Sequence, residues 1–349
     1  MQNKFKNHPQ KTENINNEIG PLILVGDIGG TKTNMGLFSG PIPNLRLLKM
    51  RTYPSQTAPS AIALIEKFLK DTGQKKLSRA CFGVAGPVID GVAQIVKLPW
   101  EVSESEIKSH YNWTNVSVVN DLVATICSVP YLKPNQLEAL DESTLELRPG
   151  NIGLLAAGTG LGMALLIDDN GRYVACASEG GHRDFAARSD VEYRLHQFLK
   201  KKYGHVSVDH VLSGQGLADL YDFINADQKL NEPAGLNARF KAEDKSAVVS
   251  QIGLTGQDQV CTQALSMFVE IYGAEAGNLA LQGTTLGGIY LGGGIAPKIA
   301  SALHSPSFRQ AFSAKGRLSG FLNRVPLRLI SDCQSPLWGA AVYSLAYFP

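Results

Sequence analysis

One pattern constrains this chain more than any other, and it occurs twice: a short apolar run, a glycine-rich turn and a second apolar run. The first copy is residues 22–25, the turn Gly26-Asp27-Ile28-Gly29-Gly30, then 34–38; the second is residues 152–156, the turn Ala157-Gly158-Thr159-Gly160, then 161–167. Runs of this length joined by a few turn residues read as β-hairpins. Their recurrence hints at duplicated domains, and 349 residues is more chain than one hydrophobic core usually organises. The longest apolar stretch, 152–167, is broken by Gly153, Gly158, Gly160 and Gly162, which suits two strands and a turn better than a membrane span.

The remaining pattern alternates strands and helices. Residues 45–52 read as a third strand, and 58–70 as a helix with Ile62, Ile65 and Leu69 at helical spacing. Residues 80–85 form a buried strand ended by Gly86-Pro87, with 92–96 expected to pair with it across Asp90-Gly91. Residues 116–119 are a strand that runs into Asn120-Asp121 and a short helix towards 129. Pro130 and Pro134 mark a domain boundary. Helices follow at 190–202, 216–226 and 258–282, strands at 173–177 and 286–291, and a helix at 336–347 that returns to the first domain. The expected division is a disordered tail (1–20), a small α/β domain (21–131 plus 328–349) and a large α/β domain (132–327).

Composition narrows the class of function. The chain is 44% hydrophobic and 18% charged, which suits a globular enzyme. With 33 basic and 31 acidic residues the net charge is +2, which gives no electrostatic case for nucleic acid or an anionic membrane as partner. The five cysteines are widely spaced, without a CxxC pair, and read as buried reduced thiols of a cytoplasmic protein. The first twenty residues lack the apolar core of a signal peptide.

Four segments hold candidate chemistry. The turn from Gly26 to Thr33 nearly matches a Walker phosphate loop, but Thr31 stands in place of the second glycine and a strand follows in place of a helix. Successive N–H groups there could still form an anion nest, with the Thr31 and Thr33 hydroxyls adding donors, or the turn could be an ordinary hairpin. Asp27 beside such a nest would repel phosphate unless a cation intervened, which makes it a candidate to hold Mg²⁺ through water. The turn at Gly158-Thr159-Gly160 is phosphate-like but nonspecific, and Gly292-Gly293-Gly294 could admit a nucleotide's base or ribose or simply allow close packing. Asn120-Asp121 ends a strand and opens a helix, where ligands gather in α/β sheets; on residue type alone the helix-cap reading comes first. Glu179-Gly180-Gly181-His182 sets a carboxylate and an imidazole around two glycines, a pairing able to bond sugar hydroxyls. Asp209 is a further acidic candidate.

Taken together and in order, these segments resemble the bacterial glucokinase family, within the superfamily that includes hexokinases and actin. The resemblance runs from about residue 22 to the C-terminus. It is carried by Val-Gly-Asp27-Ile-Gly-Gly-Thr31, Asn120-Asp121, Ala-Gly158-Thr159-Gly160-Leu-Gly162, Glu179-Gly-Gly-His182-Arg-Asp-Phe-Ala, Gly204-His-Val-Ser, Val211-Leu-Ser-Gly214 and Gly292-Gly-Gly-Ile. It implies two ribonuclease-H-like (actin-like ATPase) domains with the sugar in the cleft between them. It also implies Asp121 as catalytic base, with Asn120, Glu179, His182 and Asp209 on the sugar. Asp27 and the turns at Gly29, Gly30, Thr31 and Gly158–Gly160 would hold ATP and Mg²⁺. A cytoplasmic homodimer is expected by the same analogy.

Two departures stand out. The related repressor/kinase family carries a cysteine-rich zinc motif near its Glu-x-x-His segment, which this sequence lacks, so no structural zinc is expected. The family usually has glutamate at the position of Asp209; the shorter side chain leaves open a kinase for another hexose or an amino sugar. A non-catalytic sugar-binding regulator is disfavoured by the presence of Asp121, and a protein-directed ATPase by the Glu179/His182 pair.

Overall fold

The computed structural model describes residues 21–74, 77, 79–95, 97–141, 148–229 and 233–347. The expected tail at 1–20 lies outside the described residues.

The first half of the chain supplies β1 (Ile23–Ile28), β2 (Lys32–Ser39), β3 (Arg46–Pro54), β4 (Arg79–Val84), the short β5 (Val88–Ile89), β6 (Val92–Gln94) and β7 (Glu101–Ser103), and β8 (Asn115–Asn120). Five of these make one sheet in the order β3-β2-β1-β4-β8, antiparallel across the hairpin and parallel from β1 onwards. The parallel pairs set Asp27 beside Gly83 and Gly83 beside Val119. The carboxyl ends of β1, β4 and β8 therefore meet at one edge, the place where α/β sheets collect ligands.

The second half supplies β9 (Leu137–Ala139), β10 (Ile152–Ala157), β11 (Leu161–Asp169), β12 (Arg172–Ser178), β13 (Gly288–Gly292) and β14 (Leu327–Ile330). Their order is β12-β11-β10-β13-β14-β9. The run from β12 to β14 has the same sequence of antiparallel and parallel pairings as the first sheet, so the twin hairpins do head two copies of one design. A thick helical layer led by Gln259–Gly283 covers the second sheet, with Phe268, Tyr272, Phe308 and Phe312 fully buried in it.

Three expectations need correction. Residues 92–94 pair with β5 and β7, not with β4. Both edges of β4 are already taken by β1 and β8, and Asp90 and Gly91, at φ 51° and 74°, close a tight two-residue hairpin instead. Residues 328–330 belong to the second sheet as β14, and only after them does the chain cross back. Cys176 and Cys333 are exposed, not buried; Cys176 lies on the edge strand β12.

Two helices join the halves. Asp121–Ser128 packs against β4 and β8 on one side and β10, β11 and β12 on the other, and Ser335–Tyr347 runs beside it against β1 and β4. One apolar cluster therefore contains Ile23 and Val25 of the first sheet, Ile152 and Leu154 of the second, and Leu337 and Ala340 between them. The helices cross so closely that any side chain at Gly339 would overlap the Ala124 carbonyl.

Candidate active site

The first turn is closed by the Gly29 N–H donating to the Lys32 carbonyl at 3.1 Å. Ser55 then clasps it: its hydroxyl donates to the Gly29 carbonyl (2.6 Å) and its N–H to the Thr31 carbonyl (2.9 Å). With two carbonyl oxygens taken up on that side, the turn is biased towards offering its amides to an anion. Thr31 is exposed and available as a donor. Thr33, expected to be one, is not: it is 0% exposed and its hydroxyl is bonded to the Ser55 hydroxyl at 2.9 Å. Its place opposite Ile28 in the hairpin turns it into the core.

Asp27 lies just inside this turn. Asn34, directly across the hairpin, donates to its Oδ2 at 3.1 Å, and Asn34 is steadied in turn by the Thr52 hydroxyl at 2.9 Å. Burial pushes the Asp27 carboxyl above its ordinary range despite Asn34 and the nearby Lys32 charge. A carboxylate without an ion-pair partner among the described residues, beside a glycine turn, is of the type that suits a hard cation held through water. Asn34 and Ser55 were not singled out in the sequence, because their roles depend on cross-strand register and a long-range contact.

Asp121 opens the central helix. Asn120 does cap it, its Oδ1 accepting from the Leu122 and Val123 amides at 2.9 and 3.3 Å while its Nδ2 donates to the Gly86 carbonyl at 3.1 Å. The two readings of the pair thus divide between its members: Asn120 caps, and Asp121 faces the site. Gly83 makes room for this arrangement, since a Cβ there would sit 3.0 Å from Ala124 Cβ and 3.6 Å from Asp121 Cα. The Asp121 carboxyl is raised to about 7, first by burial, then by the charge of Asp27, and further by Glu179; its bond from the Leu122 amide, at 3.0 Å, only partly offsets them. Three carboxylates far apart in the chain thus share one field.

The second turn meets Asp121's helix from the other sheet, where a Cβ on Gly162 would lie 2.6 Å from Leu122 Cδ2. Gly158 N–H donates to the Gly160 carbonyl at 2.8 Å, and the Gly158 carbonyl accepts from Gly214 at 2.9 Å. Gly293, at φ 82°, fits against the Ala157 backbone where no side chain could, and Gly294 opens beside Gly158 into free space. Thr159 is exposed at the tip.

Glu179 and His182 stand at the ends of a single helical turn, both exposed, joined by the His182 N–H to the Glu179 carbonyl at 2.9 Å. Gly181 lets this turn lie directly on the Leu161 backbone. Asp209 links the two features: its N–H donates to the Gly181 carbonyl at 2.8 Å, and its Oδ1 accepts from the Leu161 N–H at 2.6 Å. One oxygen of this carboxylate is therefore committed to the scaffold, and the other has no hydrogen-bond partner among the described residues.

Two sheets of one topology packed across shared helices define the architecture of the actin-like ATPases. A family model described as Glucokinase matches residues 24–346. A curated glucokinase from Synechocystis sp. is 36% identical over 348 residues, spanning 93% of this chain and 98% of that protein. The solved glucokinase from an Antarctic psychrotroph is 33% identical with a TM-score of 0.81, covering 93% and 98% of the two chains. A Balamuthia mandrillaris glucokinase, crystallised in complex with glucose, shares the fold at 20% identity and a TM-score of 0.75, over 93% of each chain. The chain belongs to the glucokinase family.

Proposed function

We propose that this chain transfers the terminal phosphate of ATP to the 6-hydroxyl of D-glucose, giving glucose 6-phosphate and ADP at the entry to glycolysis. What supports this reading most is the carboxyl of Asp121, raised to about 7 by burial and by the charges of Asp27 and Glu179, which come from distant parts of the chain. A base that titrates near the working pH is well matched to taking a hydroxyl proton.

Glu179 and His182, with the remaining oxygen of Asp209 and the free N–H of Asn120, would hold the sugar hydroxyls. Asp121 would accept the O6 proton as O6 bonds to phosphorus. The bond from phosphorus to the bridging oxygen breaks, and ADP leaves with the electron pair. Because the transition state is loose, alignment and charge neutralisation matter more than early proton transfer. The amides of Gly30 and Thr31, beside Gly26, would grip the phosphates from one lobe and those of Thr159 and Gly160 from the other, with Gly29 and Gly158 closing the two turns. Gly293 and Gly294 would border the nucleoside. Asp27 would hold Mg²⁺ through water, where the ion would neutralise phosphate charge. A cytoplasmic homodimer belongs to the same reading. Among the described residues no helix is long and apolar enough to cross a membrane.

A coupled ADP-release assay with ATP and magnesium across a panel of hexoses and amino sugars tests this. Glucose should be the preferred acceptor, and Asp121→Asn should lose about two to four orders of magnitude in turnover while still binding glucose. A different preferred sugar would overturn the substrate, and near-normal turnover in the variant would remove Asp121 as base.

A further inference from the structure

The first turn has a neighbour that arrives from elsewhere in the chain. A Cβ placed on Gly30 would lie 3.0 Å from Lys97 Cβ and 3.4 Å from its Cδ. The lysine stem therefore runs along the turn, in the space a side chain at position 30 would fill. Glycine at this position serves that approach as well as the bend.

Lys97 stands on a firm base. Its segment is bent by the Leu98 N–H donating to the Ile95 carbonyl at 2.9 Å. The flanking Leu98 and Trp100 are only 6% and 9% exposed in the first lobe's core, and the Trp100 indole N–H donates to the Ala58 carbonyl at 2.8 Å. The same ribbon reaches the base: a Cβ on Gly86 would lie 3.4 Å from the Gln94 carbonyl, and the Gly86 carbonyl is the one that accepts from Asn120. Lys97 itself is exposed, and among the described residues it has neither an ion-pair nor a hydrogen-bond partner.

The charge around the turn explains the need for such a group. Asp27 and Glu179 already set negative charge against Asp121. A triphosphate entering this field adds more negative charge, and charge builds on the bridging oxygen as the terminal bond breaks. A free ammonium on a flexible stem, anchored beside the phosphate turn, is a point charge suited to following that change. Resting on the function proposed above, we propose that Lys97 contacts the terminal phosphates of bound ATP and stabilises the charge that departs with ADP. An ordinary surface lysine would not be seated against a glycine of the phosphate turn, on a segment fixed in the core.

The test uses the full chain with Lys97→Met and Lys97→Arg, each assayed for ADP release and for glucose binding without nucleotide. Lys97→Met should lower kcat/KM for ATP about 10- to 100-fold, leave the glucose Kd within about twofold, and be largely rescued in Lys97→Arg. An ATP efficiency within about twofold of the parent would overturn the proposal. So would an equal loss of glucose affinity, which would mark Lys97 as structural. Asp121→Asn, run alongside, separates this from failure of the site itself. Full activity in that variant removes the whole reading, whereas an inactive Asp121→Asn beside an unimpaired Lys97→Met removes Lys97 alone.

Discussion

At Asp121 two effects oppose each other. A carboxylate at a helix N-terminus gains from the dipole and from amide donors, which should make it a poor base. Burial and two neighbouring carboxylates outweigh that gain and raise it to about 7. The folded chain thus keeps this proton up to about pH 7, whereas the unfolded chain releases it near 3.8. On the side of stability, this group contributes a loss that sets in as pH rises past 3.8 and is complete above about 7. Asp121→Asn removes the charge and keeps the oxygen that accepts from Leu122, so it should melt higher than the parent at pH 8, by roughly 2–4 °C, and match it near pH 4. On the side of activity, kcat/KM should fall about tenfold per pH unit below an acid limb near 7, and the Asn variant should lose that limb. A profile flat from pH 8 to 5 would contradict the role given to this carboxyl. Residue type alone favoured a helix cap at Asn120-Asp121, and only the family resemblance singled out Asp121; its titration depends on Asp27 and Glu179 at remote positions. Thr33 failed as a phosphate donor for a similar reason, since its partner Ser55 comes from another element.

The elements that were legible are those whose backbone leaves few choices. Glycine turns, hairpin runs and helix starts advertise themselves, and the central helix was expected within a residue or two of Asp121–Ser128. Strand partners were less so. An apolar run of three residues such as Val92–Gln94 can satisfy several neighbours, and occupancy of the sheet edges decides among them. Helices Ala234–Ala242 and Lys245–Thr255 were not expected; the first has only Leu236 and Phe240 as large apolar residues, and in the second an exposed Leu254 blurs the face made by Val248, Val249 and Ile252. The Glu179–His182 turn is positioned by fit: it rests on Leu161 through Gly181. Gly181→Ala should lift it away, raising the glucose KM about tenfold or more while the ATP KM changes little. Unchanged glucose kinetics in Gly181→Ala would show that the turn does not position the sugar.

At the scale of the whole molecule, two copies of one sheet share a pair of helices, and the residues of the proposed site are divided between them. Asp27, the first turn and Asp121 sit on the first lobe; the second turn, Glu179, His182 and Asp209 sit on the other. Under the proposed function such a site would be complete only when the lobes approach, which would guard ATP from water until sugar is present. Saturating glucose should therefore reduce the radius of gyration in small-angle scattering, and an unchanged profile would argue against closure. The crossing of Ser335–Tyr347 over the Asp121 helix has a further meaning for biosynthesis. The strand carrying Ile23 and Val25 leaves the ribosome well before the helix that covers it. The lobe begun first must wait, its apolar face unshielded, until that helix is made, while the lobe encoded between its two parts can condense ahead of it.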